Sequence, residues 1–394
     1  MASMRSKKPE EVTFLIEGRE IPIISASISR SIDTMADGWT CDLQWIPGRD
    51  KQLDARIGPY TYAKVQIYIG QRLVNTGRLY AVKNQFNERG LTKHLECWSY
   101  TADLVDSMIT PLSQYEWQAT DLYGIAQKEC QQFAIDVGIS QIVTGARYSR
   151  LTEPFDVVQA GMTETYSDLF TKLAYQRGAM CTNDRYGMLL LTMGALTGPI
   201  AATLGEQDIR AYQESIGGSS AKSEGWAAGF DGRKRFATYA VYGQSGNPEE
   251  SSNLGILSEA TDSRVPQGRR TNIIVSDVTA GNANVTAAWH RSRQLVQALT
   301  IPFPVIGYYT PAGGLWNPND LVIVQAPSLD INIATKFLVR QIDYEYTTGG
   351  ETAKLYLVKS TRENRCGNRG AGCGNERAIA HRGPARGSQR ARPY

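Results

Sequence analysis

The sequence predicts a β-rich α+β fold divided among several domains, and three stretches carry that prediction. Residues 12–100 hold six β-prone runs separated by Gly, Pro, Asp or Asn. Residues 155–194 read as strand, helix and hairpin in one compact run. From about Ala260 onward, strand and helix patterns alternate until a closing hairpin. The chain has 394 residues, 42% hydrophobic and 21% charged, which is the balance of an ordinary folded protein. Its length allows two to four domains with sizeable cores. The 37 glycines and 20 tyrosines suit strands joined by many turns.

The six N-terminal runs are Val12–Ile16, Ile21–Ile28, Thr40–Trp45, Ala63–Ile69, Arg72–Val82 and Lys93–Trp98. Lys64–Ile69 alternates with a strict period of two, and Gly70-Gln71 is a tight turn into the next run. Six short strands in some ninety residues point to a small barrel or sandwich. At Ser99–Ile109 the pattern changes. Residues 118–137 then form an amphipathic helix, with Leu122, Ala126, Cys130, Phe133 and Val137 on one face and Gln118 or Thr120 at its start.

The run at 155–194 is the most self-consistent part of the chain. Phe155–Val158 is β-prone, and Thr163 offers a side-chain oxygen as helix N-cap. Tyr166, Leu169, Phe170, Leu173 and Ala174 share one helix face. Arg177 sits where a helix C-terminus favours a cation, and Gly178 lets the chain leave the helix. Met180–Thr182 and Met188–Thr192 flank a turn-rich connection. Phe236–Tyr242 alternates as a strand, and Ser245–Gly255 is a polar loop that marks an internal boundary. Beyond it lie a strand at Thr271–Val275 and a helix at Ala283–Leu299 with Val285, Ala288, Trp289, Val296 and Leu299 on one side. Strands follow at Val305–Tyr309, Leu321–Gln325, Lys336–Tyr346 and Lys354–Val358, the last two as a hairpin. After Ser360 periodicity vanishes, and the composition predicts a disordered tail.

The net charge of +3 conceals a division. Residues 361–394 hold eight arginines against Glu363 and Glu376, a net of +6, which leaves the preceding residues at about −3. The tail lacks the aromatic interleaving of single-strand binders, with Tyr394 its only Phe, Trp or Tyr. Cys41, Cys97, Cys130 and Cys181 read as small core hydrophobes, and Cys366 and Cys373 lie in the tail. No CxxC pair occurs. Met1–Glu11 is polar, which predicts no secretory leader, and no apolar run reaches the ~20 residues that cross a bilayer. A reducing cytoplasm is the expected place of synthesis.

Reactive chemistry is sparse. His94 lies in an alternating strand, His290 on a helix face expected to be solvated, and His381 in the tail. Glu116, Asp121, Glu129 and Asp136 flank the helix at 118–137, and Glu249-Glu250 lie in the polar loop. No spacing sets two of these acids across a cleft, so they read as solvated charge. Gly370–Gly374 follows no strand and opens no helix, which argues against a phosphate loop. The sequence therefore predicts no catalytic residue, cofactor or metal site.

Six ordered segments resemble the baseplate hub proteins of contractile-tailed phages, in particular the Mu-like hub family. They are Ser99–Asp106, Ala126–Gly138, Val158–Gly161 with Arg177-Gly178, Tyr239–Gln244, the helix bearing Trp289 and Arg293, and the turn Gly314–Asn319. The resemblance runs from about Val12 to Val358. It implies a non-enzymatic, ring-forming homotrimer with two tail-tube-like β-barrel domains per subunit. Three subunits would present six such domains to a hexameric tail tube on one side, and a trimeric central spike would dock on the other. Other baseplate proteins, residence in the virion tail after assembly in the host cytoplasm, and passage of DNA without specific binding are also implied. A mildly acidic body suits such a passage, because it does not attract phosphate.

The expected organisation is a tube-like β domain over 1–108, a helical connection over 109–154, and the strand–helix–hairpin with the start of a second tube-like domain over 155–250. An α/β segment with closing strands spans 251–360, and the tail spans 361–394. The second tube-like domain is expected from segments near 188–243 and 320–358. Two other functions compete with the hub: a tail-associated peptidoglycan hydrolase, which needs paired acids or a zinc set, and a glycan-binding adhesin using surface tyrosines and tryptophans.

Overall fold

The computed structural model describes residues 11–46, 48, 50–58, 60–87, 90–109, 115–161, 163–195, 197–215, 229–243, 256–266, 271–276, 280–347 and 350–359. The polar loop at 245–255 and the tail at 361–394 lie outside the described residues.

The N-terminal alternation becomes β1 (Val12–Ile16), β2 (Arg19–Ile21), β3 (Ser25–Ser31), β4 (Gly38–Gln44), β5 (Lys64–Ile69), β6 (Arg72–Asn87) and β7 (Gly90–Ser99). A short helix, α1 (Lys51–Arg56), interrupts them; the sequence reading missed it, although Asp50 caps it. Next come α2 (Ala102–Asp106), β8 (Glu116–Thr120), α3 (Leu122–Cys130), β9 (Val137–Ile139), α4 (Ala146–Leu151), β10 (Phe155–Gln159), α5 (Tyr166–Gln176), β11 (Met180–Asn183) and β12 (Leu189–Thr192). Then follow β13 (Ile200–Gly205), α6 (Glu206–Ser215), β14 (Gly229–Phe230), β15 (Thr238–Gly243), β16 (Ile256–Thr261), β17 (Thr271–Ser276) and α7 (Ala280–Ala298). The chain closes with β18 (Leu299–Ile306), β19 (Leu321–Ala326), β20 (Ile331–Thr347) and β21 (Gly350–Lys359).

Several boundaries differ from the expected ones for identifiable reasons. The helix expected over 118–137 spans only Leu122–Cys130, because residues up to Thr120 pair with β10 and Asp121 supplies the cap to the Gly124 N–H at 2.6 Å. Ala134, with φ of 53°, then turns the chain away towards β9. Helix α5 is capped by Thr165 rather than Thr163, through a capping box with Asp168. Glu164 instead accepts a hydrogen bond from the Gly161 N–H. Strand β18 begins at Leu299, earlier than expected, despite Pro302 and Pro304. Past Thr300 only one side of β18 is paired among the described residues, so the two prolines interrupt no ladder there.

One 13-stranded sheet dominates, with the order β14-β18-β21-β20-β3-β4-β7-β6-β5-β1-β2 and β19 and β13 branching from β20. The small barrel or sandwich expected over 12–100 is therefore half of a larger open sheet, and no sheet closes on itself among the described residues. Its apolar face carries the largest core, from Phe14, Trp39, Leu95 and Ile67 across to Tyr344, Leu355 and Phe303. A second core lies around α3 and α5, with Trp117, Tyr166, Phe170 and Leu191. A third, smaller layer sets α7 against β15–β17 through Val241, Ala283 and Ala287.

The large sheet contains a repeat. In chain order β4, β5, β6 and β7 pair as β4·β7·β6·β5, and β18, β19, β20 and β21 pair as β18·β21·β20·β19. Both long hairpins bulge at the same place. Leu79↔Cys97 gives way to Ala81↔Glu96, and Val339↔Leu357 gives way to Gln341↔Tyr356. From these bulges to the closing pairs, Asn87↔Gly90 and Thr347↔Gly350, every position of the first hairpin has its counterpart 260 residues later. Gly90 and Gly350 end both turns with positive φ, 120° and 134°, where a side chain would strain the backbone. The two units join directly, because the outer half of β20 pairs with β3 over Gln341–Tyr346.

Candidate assembly interface

Strand alternation gives the large sheet a second, polar face. Ser25, Ser27 and Ser29 of β3 lie opposite Asp42, Thr40 and Gly38 of β4, which in turn face His94, Glu96 and Trp98 of β7. On the other side Ser27 and Ser29 face Glu345 and Asp343 of β20, whose partners on β21 are Thr352 and Lys354. This surface runs unbroken through both repeat units.

Several of its polar groups engage one another. His94 Nδ1 lies 2.7 Å from Asp42, which also accepts the Ser25 hydroxyl at 2.6 Å. Lys83 pairs with Glu96. Asp343 accepts the Ser29 hydroxyl at 2.7 Å and the Gln341 amide at 2.9 Å. The face has acids and bases interleaved rather than a field of one sign. At its middle the ring of Trp98 lies over Gly38, beside a groove of about 380 Å³ lined by Ser27, Thr40 and Gln341.

Two buried polar junctions fix this sheet to the helical core. The first is centred on Asp37. Its carboxylate accepts the Ser31 N–H at 3.1 Å and faces Arg30 Nε at 3.5 Å, while its own N–H donates to Ser99 and to Asn183 of β11. Burial pushes the Asp37 carboxyl up to about 6, against the pull of Arg30. The second is the turn Gly314–Asp320. Asn319, with φ of 80°, accepts the Ala195 N–H at 2.7 Å and donates to the Met193 carbonyl at 3.0 Å. Asp320 accepts the Asn317 N–H at 2.8 Å, and burial pushes its carboxyl up to about 6 as well. Trp316 is buried, with its carbonyl accepting the Tyr344 hydroxyl.

The residues singled out for chemistry are not brought together. His94 sits on the polar face with Asp42. His290 corrects an expectation: it packs against Tyr175 and Trp289 instead of facing solvent, and desolvation pulls it down to about 4. Glu116 is held by Gln118 and Gln159, Asp121 caps α3, and Glu129 is buried with its carboxyl raised by desolvation. Glu249, Glu250, His381 and Gly370–Gly374 lie outside the described residues. Cys41, Cys97, Cys130 and Cys181 are buried free thiols raised by desolvation, as core hydrophobes should be. Among the described residues, no group of three or more His, Cys, Asp or Glu could hold a metal ion, and no helix is long and apolar enough to span a membrane.

Sequence reasoning passed over Arg30, Asp37 and Asn183, whose proximity arises only in the fold. The polar face was legible in principle, since Ser25, Ser27, Ser29 and Ser31 alternate with Ala26 and Ile28.

Comparison with known proteins gives a consistent set of relatives. Residues 279–362 match the family described as Mu phage baseplate assembly protein GpP, fourth domain. That span runs from α7 through the second repeat unit. The chain is 26% identical over 328 residues to the baseplate hub protein gp44 of Escherichia phage Mu, covering 81% of this chain and 79% of that protein. The crystal structure of the 43 kDa tail protein of prophage MuSo2 from Shewanella oneidensis is similar, with a TM-score of 0.69 and 24% identity over 89% of this chain and 99% of that one. The tail protein of Neisseria meningitidis MC58 has a TM-score of 0.70 at 16% identity, over 88% of this chain and 96% of that one.

Proposed function

As this chain is a relative of the Mu-like phage baseplate hub proteins, we propose that it is a structural component of a phage tail baseplate: a homotrimeric hub joining the tail tube to the central spike. The observation that carries this reading is the internal repeat, two four-stranded units with one register, one bulge position and one turn. Three copies would set six such units around an axis, which matches a sixfold tube on one side and a threefold spike on the other. The two units are the tube-like domains of this reading; the second, β18–β21, is one continuous stretch, with β13 and β14 from earlier in the chain pairing onto β19 and β18.

The polar sheet face lines the path through which DNA leaves. It spans both units, and Lys83 is engaged by Glu96 while carboxylates outnumber lysines along it, so it offers phosphate little to hold. The role is mechanical, without catalysis. Assembly takes place in the host cytoplasm, with other baseplate proteins, before residence in the virion tail. The test is mass measurement of the purified full chain alone and with the tube and spike proteins. A trimer that captures both is expected, and a persistent monomer that captures neither would overturn the reading.

A further inference from the structure

Helix α5 has a second face, opposite its apolar stripe, and α7 covers part of it. Asp168, Thr171, Lys172, Tyr175 and Gln176 recur at three- and four-residue steps and so share this face. Tyr175 stacks on Trp289 of α7, and beside that stack the two helices leave a groove of about 290 Å³. Thr171, Tyr175 and Gln176 line it from α5, His290 from α7, and Ile274 from β17.

The polar groups of this groove fall into two sets. Its charged residues are engaged: Asp168 completes the α5 capping box with Thr165, and Lys172 pairs with Glu164 at 3.3 Å. The neutral ones are not. Thr171, Gln176 and His290 make no side-chain hydrogen bond among the described residues, although Gln176 is only 7% exposed. An amide so enclosed and left unpaired is destabilising, and in a native fold it implies a partner, whether water or a ligand. Desolvation, with Arg293 nearby, pulls His290 down to about 4, so at neutral pH its ring offers one donor and one acceptor. Gln176 and His290 therefore bring unused donors and acceptors to one groove from two helices. Such a lining suits a neutral group that both donates and accepts. A charged one would lose its water there without gaining a counter-ion.

Ile274, the remaining wall, lies on β17, which pairs with β15 alone among the described residues, and its neighbour Ile273 is 60% exposed. An open strand edge receives extended peptide through main-chain hydrogen bonds, and alternate side chains of that peptide enter pockets beside it. The groove is at the small end for a ligand site and has the size for one such side chain. We propose that this groove binds an extended polypeptide segment of another protein, which adds to β17 and places an Asn or Gln side-chain amide between Gln176 and His290. In the free protein water occupies that place, and the incoming amide replaces it.

The chain holds three histidines, so carbon labelling of their rings in the full-length protein gives few NMR signals. A His290→Gln variant assigns the one of interest. The probes are capped Val-Gln-Val and Val-Glu-Val tripeptides and acetamide. The expected result is a saturable shift of the His290 signal with the glutamine peptide, His94 unmoved, and binding at least about tenfold tighter than for either other probe. Gln176→Leu should abolish the shift, and because the Gln176 amide forms no bond in the free protein, this variant should unfold no earlier than the wild type. Thr171→Val should weaken the peptide by about threefold or more. No shift with the glutamine peptide, an equal shift with Val-Glu-Val, or a shift that survives in Gln176→Leu overturns the site and leaves the groove to water. If Gln176→Leu does not fold, unchanged binding in Thr171→Val overturns it equally. Acetamide binding as tightly as the peptide overturns the strand addition at β17. The His290 signal reports on the groove in monomer or trimer, so these outcomes are separate from those of the hub test.

Discussion

Asn319 holds Ala195 in place: the side-chain oxygen accepts its N–H at 2.7 Å, while the same amide donates to the Met193 carbonyl at 3.0 Å. The turn before β19 thereby grips the end of the β11–β12 hairpin and ties the large sheet to the helical core. Asn319→Ala should cost about 2–3 kcal/mol, from two lost hydrogen bonds and an alanine forced to positive φ. Asn319→Gly should cost about 1 kcal/mol less, since glycine accepts that backbone. Denaturant unfolding of the two variants checks the order.

Arg177 was expected only as a cation at a helix C-terminus, yet it is 1% exposed. Its guanidinium donates to the Glu153 and Pro154 carbonyls at 2.9 and 3.0 Å and lies 4.0 Å from the centre of the Phe155 ring. Arg177→Ala should cost about 2–4 kcal/mol, because a buried side chain loses its packing, its two hydrogen bonds to backbone carbonyls and its stack on Phe155. Glu153 is half-exposed, so Glu153→Gln should change stability by less than about 1 kcal/mol.

Trp289 lies between core and surface. Its ring stacks on Tyr175 at 3.7 Å, with Arg293 over both rings, and joins α7 to α5. Trp289→Ala should cost about 2 kcal/mol, less than a fully buried tryptophan. A double-mutant cycle with Tyr175→Ala should give a coupling of about 0.5–1.5 kcal/mol.

Stability should depend on pH through groups of opposite sign. Asp37 and Asp320 hold their protons to about 6 in the fold but lose them near 3.8 when unfolded. The folded state therefore binds more protons, and stability from these groups is lost as pH rises from about 4 through 6. His290 works the other way, since its folded value near 4 lies below the usual 6.5, so its contribution grows over the same window. Replacing both aspartates by asparagine should leave the histidine effect alone, making stability rise between pH 4.5 and 6.5. Unfolding curves across that range should show a steeper upward slope in the double variant than in the wild type. Equal slopes would contradict the assignment.

The paired charges of the polar face predict little retention of DNA. The full chain should show no salt-sensitive retention in filter binding that is traceable to this face. Asp42→Lys with Glu96→Lys should create it, falling steeply as salt is raised.

Much of this architecture was legible because local rules and tertiary structure agree. The alternation in Lys64–Ile69 and the apolar stripe Tyr166–Ala174 both lead directly to their elements. What the sequence hid was long-range. Gln118–Thr120 fit a helix until β10 pairs with them, and the two long hairpins share register and bulge without obvious likeness in residues, as Asn84 and Tyr344 illustrate. Asp37 gains its meaning only when β11 brings Asn183 to its N–H. The family resemblance rested on ordered segments, and one of them, the Gly314–Asn319 turn, proves to be a structural clamp.

The central claim, a trimeric hub presenting six repeat units, is tested most directly by native mass measurement of the full chain with the tail tube protein. The account predicts a trimer of this chain that caps the tube. A chain that stays monomeric at all concentrations and leaves the tube uncapped would contradict it.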